Sequence, residues 1–180
     1  MGKIVKKSKM EGDHAGMEQM MEPRYIVQEE CKVIGIATYT SNAAEAGGNG
    51  KIPGLWMEFY QKQTSRKIPN QVTDSPTIGL YTDYENGVAG TYLMLVGLKV
   101  HTMEEIPDGL VGKTIPAGQY AVFTTRRGPV SEVVPEGWAF IWDWFSHNDK
   151  KRTFTGDYEL YDTRASNPGD AVVEIYIAVE

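Results

Sequence analysis

IPGLWMEFYQKQ (residues 52–63) and VPEGWAFIWDWFSHN (residues 134–148) carry one signature in two halves of the chain. Ile52-Pro53-Gly54-Leu55-Trp56 runs parallel to Val134-Pro135-Glu136-Gly137-Trp138. Both continue with helical spacing: Leu55, Trp56, Phe59, Tyr60 and Gln63 in the first, Trp138, Ile141, Trp142 and Phe145 in the second. Pro53 suits a first helical turn, where the missing N–H costs nothing. Each helix is preceded by a stretch rich in β-branched and aromatic residues, RYIVQEECKVIGIATYT (24–40) and LVGKTIPAGQYAVFTTRRG (110–128). Each is followed by a hairpin pattern. TIGLYTDYE and TYLMLVGLKV flank Asn86-Gly87, and DYELYDTR and VVEIYIAV flank Asn167-Pro168-Gly169-Asp170. Leu80-Tyr81 matches Leu160-Tyr161, and aligning the hairpins sets Leu93, Met94 and Leu95 opposite Val173, Glu174 and Ile175. The expected fold is α+β: two β-α-β-β repeats, about 24–100 and 109–180, related by a pseudo-two-fold axis. Antiparallel sheet would pack on two helices, with a groove between the halves.

Composition narrows the function. The 180 residues are 41% hydrophobic and 23% charged, ordinary for one globular domain. No apolar run reaches the roughly 18 residues of a membrane helix, and residues 1–22 lack the apolar core of a secretory signal. That segment holds five of the eight methionines without a sustained period and reads as a flexible leader to a domain over 23–180. Cys31 is the single cysteine, which excludes an internal disulfide and a multi-cysteine zinc site; its apolar strand setting reads as a small buried hydrophobe. The net charge of −6, with only Arg126-Arg127 and Lys150-Lys151-Arg152 as basic clusters, argues against direct nucleic-acid binding. A cytoplasmic location, no membrane and no metal or cofactor are the expectations. His14, His101 and His147 are scattered, and no nucleophile elbow, phosphate loop or dinucleotide fingerprint is present.

Strand alternation supplies the candidate site. In the last strand Val173, Ile175, Ile177 and Val179 form an aliphatic face for the helices, which would turn Glu174 and Tyr176 toward the groove. Tyr92 and Met94 would stand on the equivalent strand of the first repeat. Glu159 shares a face with Tyr161, and Gly79 with Tyr81. Aromatic faces attract cations by ~0.5–2 kcal/mol each, and a buried carboxylate needs a partner; a lipophilic cation meets both demands. Periodicity alone also fits a solvent-facing Glu174 and Glu159, and tyrosines that are simple cross-strand pairs. Trp56, Trp138, Trp142 and Trp144 read first as core. Trp144 falls on the face of Phe140, which places it toward the groove border.

IPAGQYAVFTTRRGP, WAFIWDWF, GDYELYD and VEIYIAV resemble the GyrI-like, or AraC-type effector-binding, small-molecule-binding domain over about 24–180. The resemblance implies the duplicated fold with its groove and the binding of hydrophobic, often cationic, drug-like molecules. It assigns Glu174 to the final-strand acid that faces the cation, and Glu159 and Tyr161 to the acid and aromatic of the adjoining strand. Strand and helix faces together with the resemblance give the candidate ligand set Glu174, Tyr176, Tyr161, Glu159, Tyr81, Tyr92, Met94, Trp142 and Trp144. Ala178 stands where the family's motif commonly has Pro. The leader is too short for the DNA-binding region that precedes the domain in transcription factors, so a stand-alone sensor or sequestering protein is expected. Two alternatives remain: hydrolysis of cyclopropane-bearing genotoxins by a Trp/Glu pair, with Glu174 and Trp144 as catalytic residues, and a gyrase-inhibitor-like interaction with a protein partner. A homodimer is left open.

Overall fold

The computed structural model describes residues 22–180; the leader expectation for 1–22 falls almost wholly outside them. The chain forms β1 (Arg24–Gln28), β2 (Cys31–Ser41), α1 (Asn42–Ala46), α2 (Ile52–Gln61), β3 (Thr77–Thr82), β4 (Thr91–Val100), β5 (Val111–Ile115), β6 (Gly118–Thr124), α3 (Val130–His147), β7 (Asp157–Tyr161) and β8 (Glu174–Val179). Two departures from the sequence reading have local causes. The first turn of the 42–50 loop is helical because Ser41 caps it, its Oγ accepting from the Ala44 N–H at 3.1 Å. Helix α3 begins at Val130, about a turn before the helical stretch read from Val134, so Pro135 sits inside the helix. Among the described residues no helix is long and apolar enough to cross a membrane.

All eight strands join one antiparallel sheet in the order β1-β6-β8-β7-β3-β4-β2-β5. This order is symmetric about the β7–β3 pair. Reading outward, β7, β8, β6 and β1 on one side answer β3, β4, β2 and β5 on the other. The two repeats therefore exchange their first strands: β1 pairs with β6 of the second half, and β5 pairs with β2 of the first. Each half is completed by the other, so neither offers a closed sheet alone.

The two sheet faces are buried differently. On one, α2 lies on β2 and β4, and α3 lies on β6. Leu55 and Phe59 pack there on Ile34, Ile36, Val96 and Leu98, and Ile141 packs on Ala121, Phe123, Ile175 and Ile177. The aliphatic face of β8 thus meets a helix, as the alternation predicts. The opposite face is covered by strands alone: Val33, Leu80, Leu95, Ile115, Tyr120, Val122, Tyr158 and Tyr176 bury one another as the sheet curves on itself. The curvature brings β2 and β4 very close at Gly35 and Gly97, which face each other across the ladder. A Cβ on Gly97 would collide with the Ile34 carbonyl, and one on Gly35 with that of Val96.

These contacts are with backbone, which cannot swing aside. Gly97→Ala is expected to lower stability by about 2–3 kcal/mol, as overpacking does, read as a lower thermal or urea midpoint. Gly54→Ala, on a helix with nothing within 4 Å of the added Cβ, is expected to raise it by about 0.5–1 kcal/mol.

Candidate functional site

The helices pack chiefly on β2, β4 and β6, and the centre of the sheet, where β3 and β7 run side by side, is covered by side chains that reach in from them. The register of β3 and β7 sets Gly79 against Glu159, Tyr81 against Asp157 and Thr77 against Tyr161. All six lie on the helix-bearing face. Glu159 is 1% exposed and is gripped by three neutral donors. The Tyr81 hydroxyl and the Trp138 indole N–H donate to Oε1 at 2.7 and 2.8 Å, and the Tyr161 hydroxyl donates to Oε2 at 2.7 Å. A carboxylate offers about four acceptor positions, so one is left over. Among the described residues no Lys, Arg or His stands within 4.0 Å of it. Burial raises its pKa above the ordinary value, against the opposing pull of the three donors. The Tyr81 and Tyr161 hydroxyls are pushed well upward by burial and by the nearby acid, so they remain donors at any physiological pH. Tyr92 is pushed up to about 12, chiefly by burial.

The arrangement is quasi-symmetric. The Leu80-Tyr81/Leu160-Tyr161 match makes Tyr81 and Tyr161 equivalents, with Gly79 the equivalent of Glu159. The helix match pairs Trp56 with Trp138. Each tryptophan packs edge-on to the tyrosine from the other half: Trp56 to Tyr161 at 4.7 Å and Trp138 to Tyr81 at 4.9 Å, both at 64°. A single acid therefore sits beside the pseudo-dyad inside two crossed aromatic pairs. Gly79 makes room for it, since a Cβ there would stand 3.0 Å from Glu159 Oε2 and 3.1 Å from Trp56. Tyr92 and Met94 complete the floor, Tyr92 lying 5.5 Å from Tyr81. Trp142 lies at the lip, 44% exposed and 6.4 Å from Trp138.

Glu174 and Tyr176 are not part of this groove. The ladder sets Glu174 against Leu160 and Leu95 against Leu80, so the true equivalent of Glu174 is Leu95, and that of Met94 is Val173. The hairpin alignment read from sequence was one residue out, and a slip of one moves every side chain to the other face. Glu174 lies on the strand-covered side and is already neutralised. Arg24 stands 3.1 Å and Arg164 3.4 Å from its Oε1, and the Tyr176 hydroxyl donates to Oε2 at 2.7 Å. Tyr176 itself stacks on Tyr158 at 4.4 Å and 8°. Trp144 is likewise away from the groove, edge-on to Phe123 at 5.6 Å and Phe145 at 5.0 Å on the outer flank of α3. Glu174 and Tyr176 thus face the strand-covered side, whereas Glu159, Tyr81 and Tyr161 face the side that bears the helices.

A second buried acid adjoins the first. Asp157, fully buried, accepts from the Tyr84 hydroxyl at 2.7 Å and the Ala178 N–H at 2.9 Å, and pairs with Arg152 at 2.7 Å. Its charge is spent internally. Arg152 also lies over the Phe154 ring at 4.3 Å, and Phe154 meets Tyr84 at 5.4 Å. Phe154, Trp142, Phe145 and Lys151 line an open cleft of about 820 Å³ that meets the aromatic set at Trp142 and Phe154. Trp56, Trp138 and Gly79 went unrecognised as site residues in the sequence. Their signal was the repeat itself, which places all three at matching positions around the same axis.

The sign of the pH effect follows from the raised pKa of Glu159. Between the ordinary carboxylate value of 4.5 and its raised value, the folded state keeps a proton that the unfolded chain has lost. Stability contributed by this group therefore falls as pH rises through that window and levels off above it. Thermal midpoints taken from about pH 5 to pH 8 should show a downward component with rising pH that Glu159→Gln removes.

Comparison with known proteins agrees with this architecture. The family model described as integron-associated effector binding protein (Cass2) matches residues 26–179. "Putative transcriptional regulator protein YobU" of Bacillus subtilis is 40% identical over 152 residues, 81% of this chain and 90% of YobU. The integron cassette protein VCH_CASS2 of Vibrio cholerae superposes with a TM-score of 0.72 at 27% identity, covering 88% of this chain and 96% of that one. SAV2435, solved bound to tetraphenylphosphonium, shares the fold with a TM-score of 0.73 at 17% identity over 89% of this chain and 94% of its own. An eight-stranded duplicated sheet, two flanking helices and a family match over nearly all the described residues lead to one conclusion: this chain belongs to the Cass2 family of integron-associated effector-binding proteins, of the GyrI-like type.

Proposed function

We propose that the protein binds small hydrophobic aromatic cations in the groove between α2 and α3, with Glu159 as the counter-ion. The observation that carries this reading is a buried carboxylate with three neutral donors and no cationic partner among the described residues. Burying a charge costs several kcal/mol unless an opposite charge compensates it, so the site is short of one positive charge. Trp56, Trp138, Tyr81, Tyr161 and Tyr92 supply the faces that attract a cation and the area that holds its apolar parts. Met94 adds a polarizable, adaptable floor. The cage is closed over Glu159, so a ligand enters by displacing rings. The indole of Trp138 is placed to yield, since it comes from a helix rather than from the sheet. The phosphonium ligand of SAV2435 is of the same chemical class. The protein would act as a sensor or a sequestering protein for such compounds.

The Trp138–Glu159 pair also supports a second reading, hydrolysis of strained electrophiles such as cyclopropane-bearing compounds. A carboxylate with a raised pKa is a better base for water, and a flat aromatic substrate would lie against Trp138.

Calorimetric titration with tetraphenylphosphonium, using triphenylphosphine oxide as the uncharged comparator, tests the binding reading. Glu159→Gln should weaken the cation about 10–100-fold, the range of a hydrogen-bonded charged contact, and leave the neutral compound within about twofold. Glu174→Gln should change neither. Equal binding of cation and neutral comparator, or a cation indifferent to Glu159→Gln, would overturn it. Product analysis with a cyclopropane-bearing substrate separates the second reading: turnover lost in Glu159→Gln would favour it.

A further inference from the structure

Resting on the cation-binding reading, we infer that the groove selects cations by where the charge sits in the molecule: a single positive centre flanked by two aromatic arms, with Tyr60 and Trp142 as the residues that receive the arms.

The pseudo-two-fold axis runs between β3 and β7, and Glu159 is the acid beside it. Its equivalent, Gly79, has no side chain, so the axis carries one negative charge and matches one positive charge. On either side of the axis the same construction repeats. Trp56 crosses to Tyr161 and Trp138 crosses to Tyr81, at 4.7 and 4.9 Å with the same 64° angle. Beyond each tryptophan, one helical turn further on, stands a second ring. Tyr60 stacks on Trp56 with centroids 6.1 Å apart and planes 24° apart. Trp142 leans on Trp138 at 6.4 Å and 39°. These outer rings are equivalents in the helix match, and they are the large aromatics of α2 and α3 that remain open to solvent, 61% for Tyr60 and 44% for Trp142. The first repeat's helix therefore offers an aromatic shelf at the position that matches the second's.

A ligand with its charge at one end and all its rings on one side can hold the carboxylate and only one shelf. A ligand whose charge lies between two rings can hold the carboxylate and both. Since stacking and cation–π contacts accumulate with each engaged ring, the second geometry gains contact area without moving the charge off the axis. The shelves are exposed already, so they are available before any ring of the inner cage is displaced.

Dibenzyldimethylammonium and (biphenyl-4-ylmethyl)trimethylammonium provide the test. They are constitutional isomers with the same permanent charge and the same two rings, differing in whether the nitrogen is central or terminal. Each is titrated into the wild-type protein, Tyr60→Ala and Trp142→Ala, with tetraphenylphosphonium as the reference cation. The two substituted side chains are exposed, so folding should be retained, checked by thermal midpoint. The central-charge isomer should bind at least about tenfold more tightly. Both alanine variants should weaken it by similar factors, about 3–10-fold, whereas the terminal-charge isomer should lose affinity in no more than one of them. Equal affinity of the isomers, or loss in only one variant for the central-charge isomer, overturns this inference. If tetraphenylphosphonium still binds and still depends on Glu159 in that case, the cation-binding reading stands and the charge-position rule alone falls. If no cation binds, both fall together.

Discussion

A carboxylate held out of water by two tyrosine hydroxyls and one indole is the constraint around which the centre of this protein is arranged. Each of the three donors comes from a different element: Tyr81 from β3, Tyr161 from β7 and Trp138 from α3. They converge on Glu159 because β3 and β7 are neighbours at the middle of the sheet and because Trp138 reaches in from α3, which lies on β6. None is cationic, so the charge is solvated but not neutralised. The contrast with Asp157, two residues earlier on the same face, is instructive. There Arg152 supplies a full positive charge at 2.7 Å and nothing is left for a ligand to provide.

The sheet can present such a centre because the repeats are interlocked rather than merely joined. Exchange of β1 and β5 between halves ties the outer edges of each half to the other's chain. Curvature then buries the strand-only face, with Gly35 and Gly97 permitting the closest approach of β2 and β4. With that face closed on itself, the helix-bearing face is left to carry the groove. The helices sit on the outer strands of the two halves and leave β3 and β7 to form the floor. Duplication gives the groove two matching aromatic walls, and the Gly79/Glu159 difference breaks the match at the one position where a second acid would have met the first.

Much of this was legible along the chain. The matched Ile-Pro and Val-Pro helices, the two hairpins and the Leu-Tyr doublets suffice for a duplicated α+β fold, because periodicity and turn chemistry are local properties. The alternation of β8 correctly assigned its aliphatic face to the helix side. Glu159, Tyr161, Tyr81, Tyr92 and Met94 were all named from strand faces and meet in the structure. Glu174, Tyr176 and Trp144 do not meet them. For Glu174 the cause was taking the site to lie opposite the helix-bearing face; a single-residue offset between the hairpins then made Met94 look like its equivalent, since the hydrophobic run Leu93-Met94-Leu95 has no internal marker to fix the register. Trp56 and Trp138 were visible as helix-face aromatics, yet nothing local distinguishes a tryptophan that fills a core from one that points its N–H at an acid.

Sequence by itself determined which residues share a face of each helix and strand and the presence of two repeats, since these follow from spacing along a regular backbone. Only the tertiary structure decided which face holds the groove, which carboxylate is left without a positive partner, and which of four tryptophans reaches it. Those outcomes depend on ladder register and on Arg24 and Arg164, residues far apart in the chain, reaching Glu174 first. Charge compensation between remote residues has no periodicity to read.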